Sequence, residues 1–252
     1  MSGIPLQSRI IYGPIHSRRL GRSLGINLLP LDQKICNFDC IYCQYGSTLD
    51  SAKVVKYVTL PGVDDVITAV EKALKKPRTL DYLTFSGNGE PTSHPKFPEI
   101  VAEVKKIKDQ ISPELKLGIL SNSSKVMQPE IVSTLGLMDA PMMKLDAGDE
   151  DTFQMINQPI GNIKFQDILS ALKEVPNLMI QTMLLDGDIS NIRGEAYHAW
   201  VSALVSLAPL KTHIYSIART TAKLNLKPVP MEKLKSIADA LCSDYRLDVE
   251  AF

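Results

Sequence analysis

The feature that most constrains the fold is an alternation of short apolar segments with segments of helical periodicity. Each apolar segment is bounded by Gly, Pro, Asn, Asp or a polar turn, as strands usually are. The helical segments place apolar residues near a 3.6-residue period. The predicted strands cover residues 23–29, 80–85, 116–121, 142–146, 178–184 and 211–217. The predicted helices cover residues 62–75, 96–110, 129–137, 165–173, 192–207 and 231–242.

Six strand–helix units in series predict an α/β fold with a parallel sheet and right-handed crossovers. Six units are too few for a closed eightfold barrel, which leaves a partial (βα)6 TIM-type barrel or an open doubly wound sheet. In either fold the functional site lies at the carboxyl ends of the strands. Polar residues do follow the first four strands, at 36–44, 86–92, 121–124 and 146.

The chain is expected to form one domain in three parts. Residues 1–22 are predicted to be an N-terminal extension that packs on the barrel, and residues 23–220 to be the barrel itself. Residues 221–252 are predicted to add a helix and a short strand to the same domain.

Charge and hydropathy argue against two classes of partner. Lys and Arg number 28, as do Asp and Glu, so the chain carries no global basic field and a nucleic-acid partner is not expected. No segment approaches the roughly 18 apolar residues of a membrane span, and no signal-peptide pattern opens the sequence. The expectation is a cytoplasmic protein with no membrane partner, whose four cysteines are thiols.

Three of the four cysteines lie within eight residues, in the pattern CxxxCxxC formed by Cys36, Cys40 and Cys43. Thiolates are soft ligands that suit iron–sulfur clusters, zinc or copper(I). Three thiols on one loop can hold three corners of a cubane and leave the fourth iron open to another ligand, as catalytic metal sites do.

Other interpretations of the triplet remain open at this point. A structural zinc site would need a fourth ligand, and no His or Cys stands at finger-like spacing. A purely redox cluster would normally use four cysteines. Three cysteines buried as small apolar side chains fit poorly beside Asn37 and Asp39. Cys242, on a late helix, is expected to be a buried structural thiol.

The triplet resembles the signature of the radical S-adenosylmethionine superfamily, CxxxCx(aromatic)C, with Tyr42 in the aromatic position. The resemblance implies a partial (βα)6 barrel, a [4Fe–4S] cluster on Cys36, Cys40 and Cys43, and S-adenosylmethionine bound to the open iron. It implies that one electron cleaves the sulfonium and that the 5′-deoxyadenosyl radical abstracts hydrogen from a substrate. It also implies that Tyr42 packs against the adenine region of the cofactor.

The turn after the second predicted strand contains Gly87, Asn88, Gly89, Glu90 and Pro91. In the superfamily a Gly-Gly-Glu-Pro segment holds the methionyl amino group, and here Asn88 stands at the first glycine. The resemblance therefore implies cofactor contacts from Gly87 to Glu90. Without the triplet, the same turn would be read as an ordinary strand exit with a solvated Glu.

Polar residues at the later strand ends allow two interpretations each. Ser121 and Asn122 can contact the cofactor or cap the next helix. Asp146 can bind ribose hydroxyls or substrate, or cap the helix that follows. Arg219 can meet an anionic substrate group at the barrel mouth or lie on the surface.

The segment before the first predicted strand combines Arg18, Arg19 and Arg22 with glycine turns. Together with the triplet and the glycine-rich turn, it resembles the wybutosine-synthase-like iron–sulfur oxidoreductases. Wybutosine synthases modify a tRNA guanine and carry a second cluster on additional N-terminal cysteines, but no cysteine precedes Cys36 here. Arg18 and Arg19 are possible substrate contacts; alternatively, the arginines pair with carboxylates around the base of the barrel.

The leading hypothesis is a radical S-adenosylmethionine enzyme of oxidoreductase or lyase type that acts on an unidentified substrate. An external ferredoxin or flavodoxin is the expected electron donor. Three alternatives remain: an activase that generates a radical on a partner protein, a tRNA base-modifying enzyme, and a non-catalytic metal-binding protein.

Overall fold

The computed structural model describes residues 4–48, 59–218 and 225–252, and these residues build an eight-stranded sheet flanked by helices. The strands are β1 (Ile11–Ser17), β2 (Gly21–Ile26), β3 (Tyr82–Phe85), β4 (Lys116–Ser121), β5 (Ala140–Lys144), β6 (Met179–Met183), β7 (Leu185–Gly187), β8 (Lys211–Tyr215), β9 (Leu226–Pro228) and β10 (Val249–Ala251). The helices are α1 (Val63–Leu74), α2 (Phe97–Ile111), α3 (Pro129–Leu135), α4 (Glu150–Ile156), α5 (Phe165–Leu172), α6 (Gly194–Leu207) and α7 (Met231–Tyr245).

The large sheet has the order β1-β2-β3-β4-β5-β6-β8-β10. Every neighbouring pair is parallel except β1 and β2, which form an antiparallel hairpin. The six predicted strands correspond to β2, β3, β4, β5, β6 and β8, with ends that agree within three residues. The predicted α/β fold with a parallel sheet is therefore confirmed.

The sheet is curled. The turn of the β1–β2 hairpin contacts β5 and β6, which are not neighbours of this hairpin in the sheet order. Arg19 in this turn donates from a guanidinium nitrogen to Oε1 of Gln181 on β6, at 2.7 Å. Leu20 is buried in the same region against Met142 of β5 and Met179 of β6. The curl confirms a partial barrel rather than an open doubly wound sheet, and the concave side of the sheet is called the lumen below.

The two faces of the sheet have different neighbours, as the period of two along a strand requires. Met143 and Ile180 belong to the main core between the sheet and the helices, where Trp200 and Phe97 are also fully buried. Met142 belongs to the small cluster at the base of the lumen. Within the described ranges, no helix combines the length and apolar character of a membrane span.

The expectation that Cys242 is buried is wrong, because its side chain is exposed. Helix α7 buries Leu234, Ile237, Ala238 and Leu241 against the sheet. Cys242 lies about 100° around the helix axis from Leu241 and one turn after Ala238. It is therefore at the edge of the buried stripe, where its Sγ lies 3.8 Å from the Val249 carbonyl oxygen.

Candidate active site

The predicted cluster ligands lie on the loop between β2 and α1, at the carboxyl ends of the strands. The start of this loop is fixed by a parallel bridge between Ile35 and Gly89, in the turn after β3. Further along, Asp39 accepts hydrogen bonds from the Thr48 backbone N–H at 2.6 Å and from the Ser47 hydroxyl at 3.0 Å. The segment 35–48, which carries the cysteines, is thus held on both sides of the triplet, and the three cysteines are partly buried and form no disulfide.

Amide groups from two other parts of the chain donate to two of the sulfurs. Nδ2 of Asn122, after β4, lies 3.4 Å from Sγ of Cys36. Nδ2 of Asn157, after α4, lies 3.6 Å from Sγ of Cys40. Hydrogen bonds of this kind favour the thiolate form and tune the potential of a bound cluster.

The surroundings of two of the thiols disfavour their thiolate form. Burial raises the pKa of Cys36 to about 11 and that of Cys40 to about 12. Neighbouring negative charges add to the increase: Glu90 for Cys36, and Asp146 for Cys40. Two such thiolates become stable when a cationic metal centre binds them, since coordination deprotonates a thiol outright.

The chemistry of the donor set suits an iron–sulfur cluster. Cys36, Cys40 and Cys43 supply three thiols on one short loop, and thiolates are the soft ligands that such clusters use. Within the described residues, no three His, Cys, Asp or Glu side chains are arranged around a single metal position.

The glycine-rich turn after β3 packs directly on the loop that carries the cysteines. Ile35 N–H donates to Asn88 O and Glu90 N–H donates to Ile35 O, both at 2.9 Å. Gly89 has φ +132°, and a Cβ on it would lie 1.7 Å from the Ile35 carbonyl oxygen. Gly87 has φ +136° and would place a Cβ 2.5 Å from Oδ1 of Asn27. A side chain at either position would collide with a residue of the segment that follows β2, so both positions require glycine.

The side chain of Asn88 is engaged inside the protein. Its Nδ2 donates to the carbonyls of Gln7 and Pro30, and its Oδ1 accepts from the Gln7 backbone N–H. These bonds fasten the N-terminal segment to the turn. The structure thus gives the Asn88 side chain a structural task. Its backbone is also paired, because its N–H donates to Oδ1 of Asn27 at 3.0 Å and its carbonyl accepts from Ile35 N–H.

Glu90 joins two of the predicted cofactor-binding segments. Its fully buried carboxylate accepts hydrogen bonds from the Thr92 backbone and hydroxyl, from the Ser121 hydroxyl at 2.9 Å and from the Asn122 backbone N–H at 2.6 Å. Burial raises its pKa, although these donors oppose the increase. The structure therefore brings Glu90, Ser121 and Asn122 together, next to Cys36.

Tyr42 and Asp146 form a second junction, next to Cys40. The Tyr42 hydroxyl donates to Oδ2 of Asp146, which also accepts from Nδ2 of Asn157 at 2.8 Å. Oδ1 of Asp146 accepts from the Met183 backbone N–H at 2.8 Å and lies 3.3 Å from the Lys144 ammonium. Asp146 thus links β5, β6 and the cysteine loop through its hydrogen bonds and its ion pair. It does not cap α4, whose N-cap is Asp149.

The predicted arginine contacts have different surroundings. Arg19 is partly buried in the lumen, Arg18 is exposed, and Arg22 forms an ion pair with Asp81 at 3.2 Å. The alternative that these arginines pair with carboxylates at the barrel base therefore describes Arg22. Arg219 lies outside the described residues.

A cavity of about 260 Å³ opens beside the cysteine loop. Its lining comes from β1 and its turn, from Gln44 next to Cys43, and from the ends of β6 and β8, including Met183 and Tyr215. Through Gln44, the cavity reaches the residue that follows the third cysteine of the triplet.

Sequence reasoning did not select Asn157, Lys144, Gln181 or Tyr215 as site residues. The lumen face carries three of them: Lys144 on β5, Gln181 on β6 and Tyr215 on β8. The sequence does contain a signal for two of these residues, because Lys144 and Gln181 are polar residues in predicted strands that are otherwise mostly apolar. Asn157 follows a helix of only seven residues, which is too short to show a clear period.

Comparison with known proteins identifies related sequences. The profile of the radical SAM superfamily matches residues 32–188. A Brachyspira hyodysenteriae protein named GTPase Obg is 31% identical over 247 residues, which cover 94% of this chain and 35% of that protein. A UPF0026 protein of Methanocaldococcus jannaschii is 30% identical over 235 residues, covering 90% of this chain and 70% of that protein. The chain thus spans only about a third of the first relative.

Solved structures with the same fold include a radical SAM methyltransferase from Sphaerobacter thermophilus, with a TM-score of 0.62, 16% identity and coverage of 91% of this chain and 65% of that one. TYW1 with a lysine-pyruvate adduct bound has a TM-score of 0.59, 15% identity and coverage of 88% of this chain and 74% of that one. At such identities the likeness concerns the fold.

Proposed function

Since this chain belongs to the radical SAM superfamily, its cofactors are a [4Fe–4S] cluster and S-adenosylmethionine, and we propose that it directs their radical chemistry onto a small molecule in the lumen. Cys36, Cys40 and Cys43 would hold three irons. The observation that carries the proposal is that the sulfurs of Cys36 and Cys40 accept amide hydrogen bonds from Asn122, after β4, and from Asn157, after the helix that follows β5.

Two groups of residues in this chain have separate tasks: one orients the cofactor and the other forms the wall of the site. When bound, the cluster and S-adenosylmethionine supply one electron and a 5′-deoxyadenosyl group that takes a hydrogen atom from the substrate. The Glu90 junction orients Ser121 and Asn122 toward the methionyl end of the cofactor. The Tyr42–Asp146 junction fixes the wall of the site next to Cys40.

The shape of the lumen supports a small substrate. The hairpin turn crosses the base, where Leu20 is buried, and the cavity of about 260 Å³ lies next to the cysteine loop. This volume is just below the usual range for ligand sites, about 300–1,000 Å³. A compact metabolite fits it better than a folded partner or a tRNA.

We also propose that the electron comes from a separate ferredoxin or flavodoxin. This sequence contains four cysteines, of which three form the triplet and the fourth, Cys242, is exposed on α7. A second cluster with four thiolates would need more cysteines than that.

The test uses anaerobic reconstitution with iron and sulfide, followed by reduction with dithionite and addition of S-adenosylmethionine. We expect about four irons and four sulfides per chain, and 5′-deoxyadenosine detected by mass spectrometry. Cys40→Ala should lose the cluster and the product. Cys242→Ala, which removes the exposed thiol outside the site, should behave like the wild type.

Two outcomes would contradict the proposal. One is a chain that binds zinc and takes up no sulfide under these conditions. The other is deoxyadenosine formation that survives in Cys40→Ala, because the product would then not depend on the triplet.

A further inference from the structure

We propose that the cavity beside the cysteine loop binds its substrate through a carboxylate or phosphate group held by Arg19. The inference rests on the proposed function, because it names the substrate class of that same site. It is carried by the charge of the cavity lining, by the guanidinium of Arg19, which has no carboxylate partner among the described residues, and by the contacts that hold this guanidinium in place.

The cavity lining is cationic. Arg18 and Arg19 lie on its hairpin side together with His16, and none of the described side chains that line it is an Asp or a Glu. Gln44 places the same cavity one residue from Cys43. A small anion would thus be held within reach of the cofactor side of the lumen.

Arg19 is positioned without being neutralised. One of its N–H groups donates to Gln181 at 2.7 Å, and its guanidinium carbon lies 4.3 Å from the centre of the Tyr215 ring. Among the residues that the structure describes, no carboxylate lies within ion-pair distance of it, whereas Arg22 has Asp81. A guanidinium has five N–H donors in a planar fork, so a forked edge remains for a carboxylate or phosphate.

Lys144 holds Tyr215 in place behind Arg19. Its ammonium donates to the Tyr215 hydroxyl at 2.7 Å. Burial alone would lower its pKa, but Asp146 and Tyr215 raise it above the ordinary value, so the group stays charged. Asp146 compensates Lys144, and Glu250, the acidic residue near His213, pairs with Lys211 at 2.5 Å. Neither carboxylate neutralises Arg19.

The test measures equilibrium binding of two probes, inorganic phosphate and succinate, to the reconstituted holoprotein by isothermal titration calorimetry at low ionic strength. We expect the wild type to bind at least one probe. Arg19→Gln, which keeps a polar side chain near Gln181 but removes the charge, should weaken binding at least tenfold. The preferred probe distinguishes a phosphate-bearing substrate from a carboxylate.

Two further variants keep the result interpretable. Arg18→Gln changes an exposed lining residue that the fold does not need, and it should weaken binding by a factor of about two to five. Arg193→Gln removes an exposed arginine whose ion pair with Asp186 lies outside the cavity lining, and it should bind like the wild type.

Failure of this inference is distinguishable from failure of the proposed function. If the wild type forms deoxyadenosine but binds neither probe, or if Arg19→Gln and Arg18→Gln bind as tightly as the wild type, the anionic substrate class is overturned and the radical chemistry stands. Loss of the cluster in the wild type would instead contradict the proposed function.

Discussion

The two sides of the lumen differ in how far their polar groups are already paired. On the closed side, formed by the turn 87–92 with Ser121 and Asn122, the Glu90 carboxylate accepts four hydrogen bonds from its own chain. On the open side, formed by Arg19, Lys144, Gln181 and Tyr215, the Arg19 guanidinium has Gln181 as its one hydrogen-bond acceptor among the described residues, and it borders a cavity.

The difference separates two tasks. The closed side is held by hydrogen bonds within the chain, which suits a cofactor that every turnover uses in the same way. The open side keeps charge and space for a molecule that must enter and leave. We therefore expect substitutions on the closed side to affect stability and cluster content, and substitutions on the open side to affect binding and pH dependence.

The largest effect is expected from Gly89→Ala. A Cβ there would meet the Ile35 carbonyl oxygen at 1.7 Å, and the backbone would have to keep a φ of +132°. Strain and overpacking together should cost about 3 kcal/mol or more. Because Ile35 begins the cysteine loop, iron and sulfide content should fall well below four per chain, as measured after reconstitution.

Gly161→Ala is the matched control for this substitution. Gly161 also has a positive φ, +88°, but a Cβ on it would meet nothing within 4 Å. It should cost about 1 kcal/mol and leave the cluster content unchanged. Equal losses in the two variants would show that backbone conformation alone, and not contact with the loop, explains the effect.

The second-largest effect is expected from Glu90→Ala. The substitution leaves buried donors of Ser121, Asn122 and Thr92 without their acceptor, which should lower the free energy of unfolding by about 2–4 kcal/mol. Urea denaturation of the apoprotein measures it. Glu99→Ala, on the exposed face of α2, should change stability by less than about 0.5 kcal/mol. A stable Glu90→Ala variant would refute the view that the closed side depends on this junction.

The smallest effect is expected on the open side, at His213. Burial lowers the pKa of His213 to about 4, and Nδ1 has no partner among the described residues. The unfolded chain then binds a proton at pH 5 that the folded chain does not, so stability should fall by about 1–2 kcal/mol between pH 7 and pH 5.

His213→Gln should remove this part of the pH dependence. The measurement is the difference between wild type and variant in urea unfolding at the two pH values, because other titrating groups then cancel. Parallel pH profiles for the two proteins would mean that His213 carries no such shift.

Much of this architecture could be predicted from the sequence, because the strands and helices have clear periods. Strand β4 matches its predicted range of 116–121, and α1 lies within the predicted 62–75. Strand β1 was missed because Gly13 and Pro14 interrupt its pattern and its pairing is irregular between Tyr12 and Ile15.

The site was only partly predictable for a different reason. The triplet and the Glu90 turn are local in sequence, so their spacing reveals them. The contact of Arg19 with Gln181 joins residues 162 positions apart, and no local pattern carries it. The internal use of the Asn88 side chain likewise depends on the distant Gln7 and Pro30.

The hairpin turn also has a consequence for the order in which the protein forms. The β1–β2 hairpin is a local structure that can form once residues 11–26 have been synthesised, whereas its turn residues find their partners only after β5 and β6 exist. Contacts of such long sequence separation form late and slowly. Until then Leu20 stays exposed, so during synthesis on the ribosome this turn is a point at which the nascent chain is open to aggregation or chaperone binding.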